Sequence, residues 1–551
     1  MASKLKIIPL GGISEIGKNM TVIEYGKDMI VVDCGSTFPG DEMPGVDLVI
    51  PDMDYVEKNA SRLRGIIITH GHEDHIGAVP YALKKFNVPV YGSRLSLALI
   101  NHKLEEHGIA ADADLRTVQP GDVIKLGCIS VEFIHVNHSI AGSMALAITT
   151  PAGVVIHTGD FKIDFTSVDS APADLARFAE YGRKGVLCLM SDSTNAELPG
   201  YTLSESMVGQ TFERYFDTAT GRIIVATFAS NIHRIQQICD CALRHGRKIC
   251  FQGRSMLNIY ALASELGYLN VPEREVVDID KLKKYRDDQV CVITTGSQGE
   301  PMSGLSRMAG SAHKLVIGPG DLIIVSASAI PGNEKSVSNV INQLCEKGAT
   351  VIYKDMADVH VSGHARQEEQ KIILALTKPK YFIPVHGEYR HLMNHIKLAE
   401  ALGVPSENCM VVGIGEVVEF TKNSMKKTSS VAAGSIMIDG SGVGDIGNIV
   451  LRDRKLLSED GLVVVVVALS KKNGKILAGP DVITRGFVYV RESEELIEEA
   501  KEIAKNAMLE FAARPRSDWS AIKNSTRNAL KDFFYKKTKR NPVILPIIQE
   551  V

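Results

Sequence analysis

Four potential metal ligands fall within six positions, His70, His72, Asp74 and His75, in the run THGHEDHIGAVP that begins at Thr69. Imidazole and carboxylate together suit a hard-to-borderline divalent cation, so the first expectation is a metal site. The run follows an apolar strand, GIIIT, and the alternation of a strand ending gives His70 and His72 similar directions, while Asp74 and His75 enter the next helix. Such an arrangement has room for two adjacent ions. It is not the helical HExxH signature, because His72 and His75 are three apart rather than four. A structural metal, or a polar loop that binds nothing, are the alternatives at this stage.

Further candidates end other apolar runs: His138 in VEFIHVNHS, Asp160 in VVIHTGD and His386 in YFIPVHGE. Layered α/β proteins gather reactive side chains outside the ends of their strands, and jointly these residues fit a two-metal site. His135 and His157 point the other way along their strands and are read as core or supporting groups.

The elements that must position these residues follow from rhythm. From Lys4 to about residue 200, short apolar runs such as KLKIIPL, MTVIEYG, RGIIITH and GVLCLMSDS alternate with turns and helical stretches, the pattern of a layered α/β domain. From 205 to 368, strand and helix alternate more regularly (GRIIVATFAS, HRIQQICDCALRHG, RKICFQG), which favours a parallel sheet with helices on both faces. Residues 369–422 resume strand, loop and helix, and the polar stretch within 423–450 reads as a linker. Residues 451–551, with a valine-rich strand, a second strand GFVYVRE and two charged helical stretches, suggest a small α+β domain.

The 551 residues suffice for several cores, and 45% hydrophobic with 23% charged residues is ordinary for a globular chain. A formal net charge of −3 leaves no bulk attraction to a polyanion, so any nucleic-acid surface must be a local groove. Nine cysteines without a CxxC pair predict reduced, mostly buried thiols. MASKLKIIPLGG lacks the apolar run of a signal peptide, and GLVVVVVALS is too short to span a bilayer, so a cytoplasmic protein with no membrane segment is expected.

HGHEDH matches the HxHxDH signature of the metallo-β-lactamase superfamily, and His138, Asp160 and His386 follow in the order of its remaining ligands. PLGGISEIGKNM, NHSI, HTGDFK, SDSTNAE, ASNIHRIQQ, TTGSQGEP, VHVSGHA, PVHGEYRHL and DVITRGFVYV resemble the β-CASP branch and, within it, the bacterial ribonuclease J family, across nearly the whole chain. The resemblance implies an α/β fold, an αββα sandwich (1–204 and 369–422) with an inserted β-CASP domain (205–368) and a C-terminal α+β domain (451–551) that serves dimer or tetramer formation. It assigns His70, His72 and His138 to one metal and Asp74, His75 and His386 to the other, with Asp160 bridging and Asp33 orienting a ligand histidine. Asp192 and His364 match the β-CASP acid and histidine motifs and join Asp74 and His75 as expected catalytic residues. His360, Ser362, Gly363, His364 and Ala365, with Ser230, Asn231 and His233, are expected to bind substrate, the loops offering N–H groups and hydroxyls to the 5′ phosphate of RNA one nucleotide from the cut.

The activity so implied is metal-dependent 5′-to-3′ exonuclease action on RNA, favouring a 5′ monophosphate, with additional internal cutting, in RNA maturation and mRNA decay. Imidazole-rich ligation favours zinc, and manganese also suits the carboxylate-rich site. Two departures stand out: Ser14 replaces a usual Gly, and NHSIAGS replaces HSIPDS, which bears on the loop after His138. Other readings are a weakly active or non-catalytic RNA-binding subunit of a degradation complex, against which the complete ligand set argues, and another metallo-β-lactamase hydrolase, which leaves the long stretch between Tyr201 and His364 unexplained. A DNA nuclease of the same branch differs only in 2′-OH contacts that sequence does not reveal. A paralogue or degradation-complex partner is the expected company.

Overall fold

The computed structural model of the protein describes residues 3–40, 42–168, 171–300, 302–330, 333–470, 475–488, 493–512 and 519–551, and side chains within 510–512 are left aside. The chain divides into two compact units, Met1–Thr37 with Ile50–Ser435, and Phe38–Val49 with Ile436–Val551.

In the first unit the strands are buried almost throughout, and their alternating side chains build two facing sheets with further layers outside them. One has eight strands, in the spatial order Ser424–Ser430, Glu416–Thr421, Leu5–Gly11, Met20–Tyr25, Asp28–Val32, Leu63–Ile67, Val90–Gly92, Leu115–Thr117. The other has six, in the order Tyr381–Val385, Cys188–Asp192, Gly153–His157, Met144–Thr150, Ile129–His135, Val123–Leu126. Ile7, Ile23, Ile30, Val32 and Ile67 of the first meet Val131, Phe133, Leu146, Met190 and Ile383 of the second in one buried cluster. The far face of the six-stranded sheet, with Ile134, Ala147, Ile156, Leu189 and Phe382, is covered by Phe178, Ile373, Leu374 and Ile396 of the helices Leu175–Lys184, Gln367–Thr377 and Tyr389–Ala401. Helix Arg94–Glu106 packs on the Val90–Gly92 side of the eight-stranded sheet, with Val79–Lys85 beside it. The αββα layering expected from the sequence is present.

Parallel pairing brings the chemistry to one edge. Gly153–His157, Cys188–Asp192 and Tyr381–Val385 run parallel, with His157 opposite Met190 and Asp192 opposite Val385. Asp28–Val32 and Leu63–Ile67 are likewise parallel, with Val32 opposite Ile67. Asp33, His70, Asp160 and His386 therefore all follow strands that end together.

The insert is a five-stranded parallel sheet in the order Lys248–Gln252, Val290–Thr294, Ile223–Ala226, Leu322–Val325, Thr350–Ile352. Ile223 and Val225 face helical residues Phe212, Ile235, Ile238 and Met256, while Ile224 and Ala226 face Leu305, Met308, Val340 and Leu344. Burial on both faces is why these strands read as unbroken apolar runs. Leu95, Ile140 and Ala141 of the sandwich join the first of those clusters and fasten the insert to it.

The stretch 423–450, expected as a linker, is structured. Ser424–Ser430 is an edge strand antiparallel to Glu416–Thr421, with Met425 buried and Lys426, Lys427 and Thr428 exposed. Its polarity is that of an edge strand kept in water, which sequence alone does not separate from a linker. Ser435–Asp439 pairs with Gly442–Val443, and a helix begins at Asn448. The second unit also takes Phe38–Val49, where the Asp47 N–H donates to the Ile438 carbonyl at 2.8 Å. Its main sheet has Leu462–Leu469 between antiparallel Ile476–Arg485 and parallel Val543–Glu550, and Val463, Val465 and Val467 pack on Ala500, Ala504, Leu530 and Phe534 of the helices Glu494–Ala512 and Trp519–Thr538. A strand, Ile476–Arg485, precedes the run GFVYVRE, where a strand was expected; Gly486 and Phe487 form a bend, and residues 489–492 of that run lie outside the described residues.

Gly182 tests the helical layer. A Cβ there would lie 2.0 Å from the Leu376 carbonyl oxygen on the neighbouring helix, a backbone group that cannot swing aside. Gly182→Val is expected to lower stability by about 1–3 kcal/mol through overpacking, read as a lower urea midpoint; an unchanged midpoint would mean that this approach is not tight in solution.

Candidate metal centre

Ile68 and Thr69 continue the buried strand Leu63–Ile67 up to His70, which is completely buried, and His72 precedes the short helix Glu73–Ile76 that presents Asp74 and His75. Ligand atoms of His70, His72 and His138 lie within 4.8 Å of one another, as do those of Asp74, His75, Asp160 and His386. His138 Nε2 is 3.1 Å from His72 Nδ1, and His386 Nε2 is 3.1 Å from Asp74 Oδ2. Asp160 Oδ2 faces both groups, at 3.2 Å from His75 Nε2, 3.5 Å from His386 Nε2, 3.6 Å from His70 Nε2 and 3.8 Å from His138 Nε2. His70 Nε2 is buried without a hydrogen-bond partner, although buried polar atoms are rarely left so. An unpartnered imidazole nitrogen aimed at other imidazoles and carboxylates fits a divalent cation.

The other ring nitrogens are held so that their partners keep a lone pair for a metal. His138 Nδ1 donates to the Gly363 carbonyl at 2.7 Å, His75 Nδ1 to Asp33 Oδ2 at 2.8 Å, His386 Nδ1 to Thr194 Oγ1 at 2.7 Å, and His70 Nδ1 to Thr69 Oγ1 at 3.0 Å. Asp33 also accepts from the Thr69 N–H and hydroxyl, at 2.8 and 2.9 Å. It therefore orients His75 directly and His70 through Thr69. Asp33 and His386 take left-handed backbone, with φ of 58° and 54°, a conformation costing roughly 1–2 kcal/mol per residue outside glycine. That two site residues bear this cost fits strain held where function needs it.

Burial is the largest influence on every group in the cluster. It keeps His70 and His138 far below the usual imidazole range and brings His72 down to about 4, so these rings are neutral near pH 7. Burial also opposes charge on His75 and His386, but Asp160 and its neighbouring carboxylates outweigh it and raise both. Burial pushes against ionisation of Asp160 too, and His386, His75 and His70 hold it low. A divalent cation held by these residues would supply the compensating positive charge, and its binding would compete with protons on His75 and His386.

Asp192, His364 and Thr194 flank the centre. His364 Nδ1 donates to Asp192 Oδ2 at 2.8 Å, and the Thr194 N–H and hydroxyl donate to Asp192 Oδ1 at 2.9 and 2.8 Å. The His364 ring stacks on His386 with centroids 5.3 Å apart, and sits edge-on to His138 at 5.0 Å. Asn195 Nδ2 donates to Ser362 Oγ and to the His364 carbonyl, each at 2.9 Å. Gly363 is packed against His138. The expectation that Ala365 offers its N–H to an anion is corrected: that group donates to the Phe161 carbonyl at 2.6 Å, closing the loop onto the segment after Asp160. Asn231 is buried, and its side chain caps the helix Ile232–Arg244 by accepting the Arg234 N–H at 3.1 Å; Ser230 and His233 are half-buried beside it. His360 Nδ1 accepts from Arg234 Nη1 at 2.7 Å.

His157 is buried against the centre, lining a small cavity with His75, Asp160 and His386. His135 is neither core nor support: it is half-buried, and its Nε2 bonds the Ala171 carbonyl at 2.8 Å, because it closes a strand whose end turns to the surface. Several contributors were missed. Fully buried Arg234 binds Glu205 twice, at 2.7 and 2.9 Å, and so anchors His360. Asn19 Nδ2 lies 3.0 Å from the Asp74 carbonyl and 3.4 Å from its Oδ2. Asn19, Thr194, Asn195 and Arg234 all stand inside motifs already singled out, and an arginine on an otherwise apolar helix face was the available signal. Ser14, the departure from glycine, has a φ of 59°, and Ile140 and Ala141 of the altered loop after His138 are buried in the insert's core.

An αββα sandwich with a buried His/Asp centre for divalent metal at its strand ends, interrupted by a parallel α/β domain, defines a metallo-β-lactamase-fold hydrolase. Family profiles agree: metallo-beta-lactamase superfamily over residues 14–177, ribonuclease J beta-CASP domain over 220–344, Zn-dependent metallo-hydrolase RNA specificity domain over 349–411 and ribonuclease J C-terminal domain over 449–551. Ribonuclease J2 of Bacillus subtilis is 45% identical over 548 residues, covering 99% of each chain, and Ribonuclease J 1 of Streptococcus pyogenes is 45% identical over 99% of this chain and 98% of that protein. Ribonuclease J of Helicobacter pylori is 42% identical over 98% of this chain and 79% of that one. A crystal structure of a protein of unknown function from Enterococcus faecalis has the same fold, with TM-score 0.54 and 18% identity over 76% of this chain and 100% of its own. The chain belongs to the ribonuclease J family and is a metal-dependent ribonuclease.

Asp33→Asn keeps the side chain's size but weakens its hold on His75 and Thr69. It is expected to lower divalent-metal affinity roughly 10–100-fold, as loss of an outer contact to a ligand does; equilibrium dialysis against Zn²⁺ reads this, and wild-type affinity would remove the orienting role.

Proposed function

We propose that the chain removes nucleotides from the 5′ end of RNA in the 3′ direction, favours a 5′ monophosphate, and also cuts internally, in RNA maturation and mRNA decay. The observation that carries this is closeness. Gly363, in the loop read as the phosphate pocket, accepts a hydrogen bond from the ligand His138, and His364 of the same loop stacks on the ligand His386. An RNA end held there would lie about one nucleotide from the metals, a spacing suited to release of mononucleotides.

His70, His72 and His138 would hold one cation, Asp74, His75 and His386 a second, and Asp160 both. Divalent cations in such a set supply Lewis acidity to a phosphodiester and lower the pKa of water. The protein's own residues do the rest. Asp192 fixes the Nδ1 proton of His364 and leaves Nε2 for the substrate, where it can neutralise charge or give a proton to the departing oxygen. Ser362, Gly363 and His364, with Ser230, Asn231, His233 and His360 around them, would grip the terminal phosphate. Arg234 donates to His360 Nδ1, which leaves the Nε2 proton of that neutral ring as a donor. Zinc is the favoured ion on ligand chemistry and manganese the alternative. The ligand set is complete, which supports an active enzyme over a non-catalytic RNA-binding subunit.

The insert is assigned to 205–368, within the sandwich of 1–204 and 369–422. Residues from 451 onward would serve self-association. Supporting this is the open face of their sheet, where Ile483 and Leu545 flank Val464 in register and Ile547 flanks Val466, with Ile483 and Leu545 each 48% exposed. A second copy is the proposed occupant. The assigned compartment is the cytoplasm, where a degradation complex would be met; no described helix is long and apolar enough to cross a membrane.

One 3′-labelled RNA bearing a 5′ monophosphate, triphosphate or hydroxyl tests the end preference. Faster stepwise shortening of the monophosphate form is expected, and its loss in the Asp74→Ala, His75→Ala double variant; equal attack on all ends would remove the pocket while leaving the nuclease. For self-association, Leu545→Glu is expected to shift the sedimenting species towards monomer, and an unchanged distribution would clear that face of the role.

A further inference from the structure

The loop Val361–Ala365 touches both groups of ligands. On one side the Gly363 carbonyl accepts the His138 Nδ1 proton at 2.7 Å and so sets which nitrogen of that ligand is free. The contact is tight: a Cβ on Gly363 would lie 2.6 Å from His138 Cε1 and 2.8 Å from Ser139 Oγ. On the other side, His364 Nδ1 binds Asp192 Oδ2, Asp192 Oδ1 accepts from Thr194 Oγ1, and Thr194 Oγ1 accepts from His386 Nδ1. One chain of hydrogen bonds thus runs from a ligand of the first group, through the loop, to a ligand of the second.

The loop's own position depends on neighbouring side chains. Asn195 Nδ2 reaches both Ser362 Oγ and the His364 carbonyl, so a single amide bridges the residues on either side of Gly363. Thr202 Oγ1 donates to the same His364 carbonyl at 2.8 Å. Without the Asn195 donors, the residues on either side of the carbonyl that holds His138 would lose the side chain that ties them together. An anion gripping Ser362 and Gly363 would restrain the same few atoms from outside.

We propose that this loop couples metal retention to occupancy of the terminal-phosphate pocket, and that Asn195 is the positioning residue that makes the coupling possible. Binding at the pocket orders the carbonyl that orients His138, so the centre holds its metal more tightly when an RNA end is seated, and a metal-loaded centre presents the loop ready for the end. Linkage requires the two effects to be equal. The inference rests on the reading of Ser362–His364 as that pocket.

The test uses the full chain stripped of metal. Zn²⁺ affinity is measured by competition with a chromophoric chelator, with adenosine 5′-monophosphate or adenosine present, and nucleotide affinity is measured with and without Zn²⁺. Adenosine 5′-monophosphate, and not adenosine, is expected to raise wild-type Zn²⁺ affinity roughly 5–150-fold, with the reciprocal gain for the nucleotide. Asn195→Asp, equal in size but with an acceptor in place of the donor, is expected to lower basal Zn²⁺ affinity roughly 10–100-fold and to bring the coupling to about one-fold, with the metal-free melting temperature unchanged. Should Asn195→Asp fail to fold, Thr202→Val is judged by the same criteria. Wild-type Zn²⁺ affinity in the folded variant overturns the proposal, and so does coupling that persists in it, which would mean that phosphate meets the cations directly. Absent coupling in an enzyme that still prefers a 5′ monophosphate sinks the coupling alone, whereas a wild type indifferent to the RNA end sinks the pocket itself.

Discussion

Oxygen Oδ2 of Asp160 has the Nε2 atoms of His75, His386, His70 and His138 within 3.2 to 3.8 Å, in a space from which water is almost excluded. A buried carboxylate without partners is costly, and so is a set of buried imidazoles facing one another. Together they are tolerable only if positive charge sits among them. The rest of the sandwich is arranged to satisfy that condition. Asp160 follows a strand of one sheet and His70 a strand of the other, so the two sheets must face each other in a fixed register for the atoms to meet. The interdigitated apolar core between them sets that register.

The insert adds a second constraint, because its return path supplies Gly363 and His364. Glu369, completely buried, shows how that path is held: its carboxylate accepts the N–H of Ile163 at 2.8 Å, of Thr202 at 2.6 Å and of Arg366 at 2.9 Å. Three chain segments are thereby pinned to one side chain: the stretch after Asp160, the entry into the insert and the start of the helix that leaves it. The Ala365 N–H bonded to Phe161 lies in the same joint. Removing a partner from such a buried group leaves donors unpaired, so the joint resists piecemeal change.

Much of this was legible in the sequence, for a physical reason. Ligand residues cluster by type at strand ends, and strands buried on both faces betray themselves as apolar runs, so His70, His72, Asp74, His75, His138, Asp160 and His386 stood out, as did the strands of both the sandwich and the insert. Contacts made by backbone atoms carry no such mark. Nothing in the letters HVSGHA says that Ala365 turns its N–H inward while Gly363 turns its carbonyl to His138. Likewise Ser424–Ser430 reads as a linker because the half that pairs is backbone and the half that is written is polar. Phe38–Val49 joins the second unit through long-range packing, with Val46 and Val49 against Ile446 and Leu451, which rhythm along the chain does not encode.

A ribonuclease with a formal charge of −3 has to capture a polyanion without bulk attraction. Any counterion release must then come from phosphate contacts made locally, and recognition falls to groups concentrated at particular places. Residues beside the loop Val361–Ala365 fit that demand. Arg234 is wholly buried, donating to Glu205, Ser326 and His360, and Lys162 is nearly so, with its ammonium 3.3 Å from Asp164 Oδ2. Each cation is balanced by a carboxylate, so neither adds net charge to the surface, and Arg234 also holds the His360 ring in one orientation. Preorganised donors of this kind recognise one phosphate at one place, and they discriminate by position more than by charge. With no excess of positive charge on the chain as a whole, capture of RNA rests on where such groups are placed more than on how many charges the protein carries.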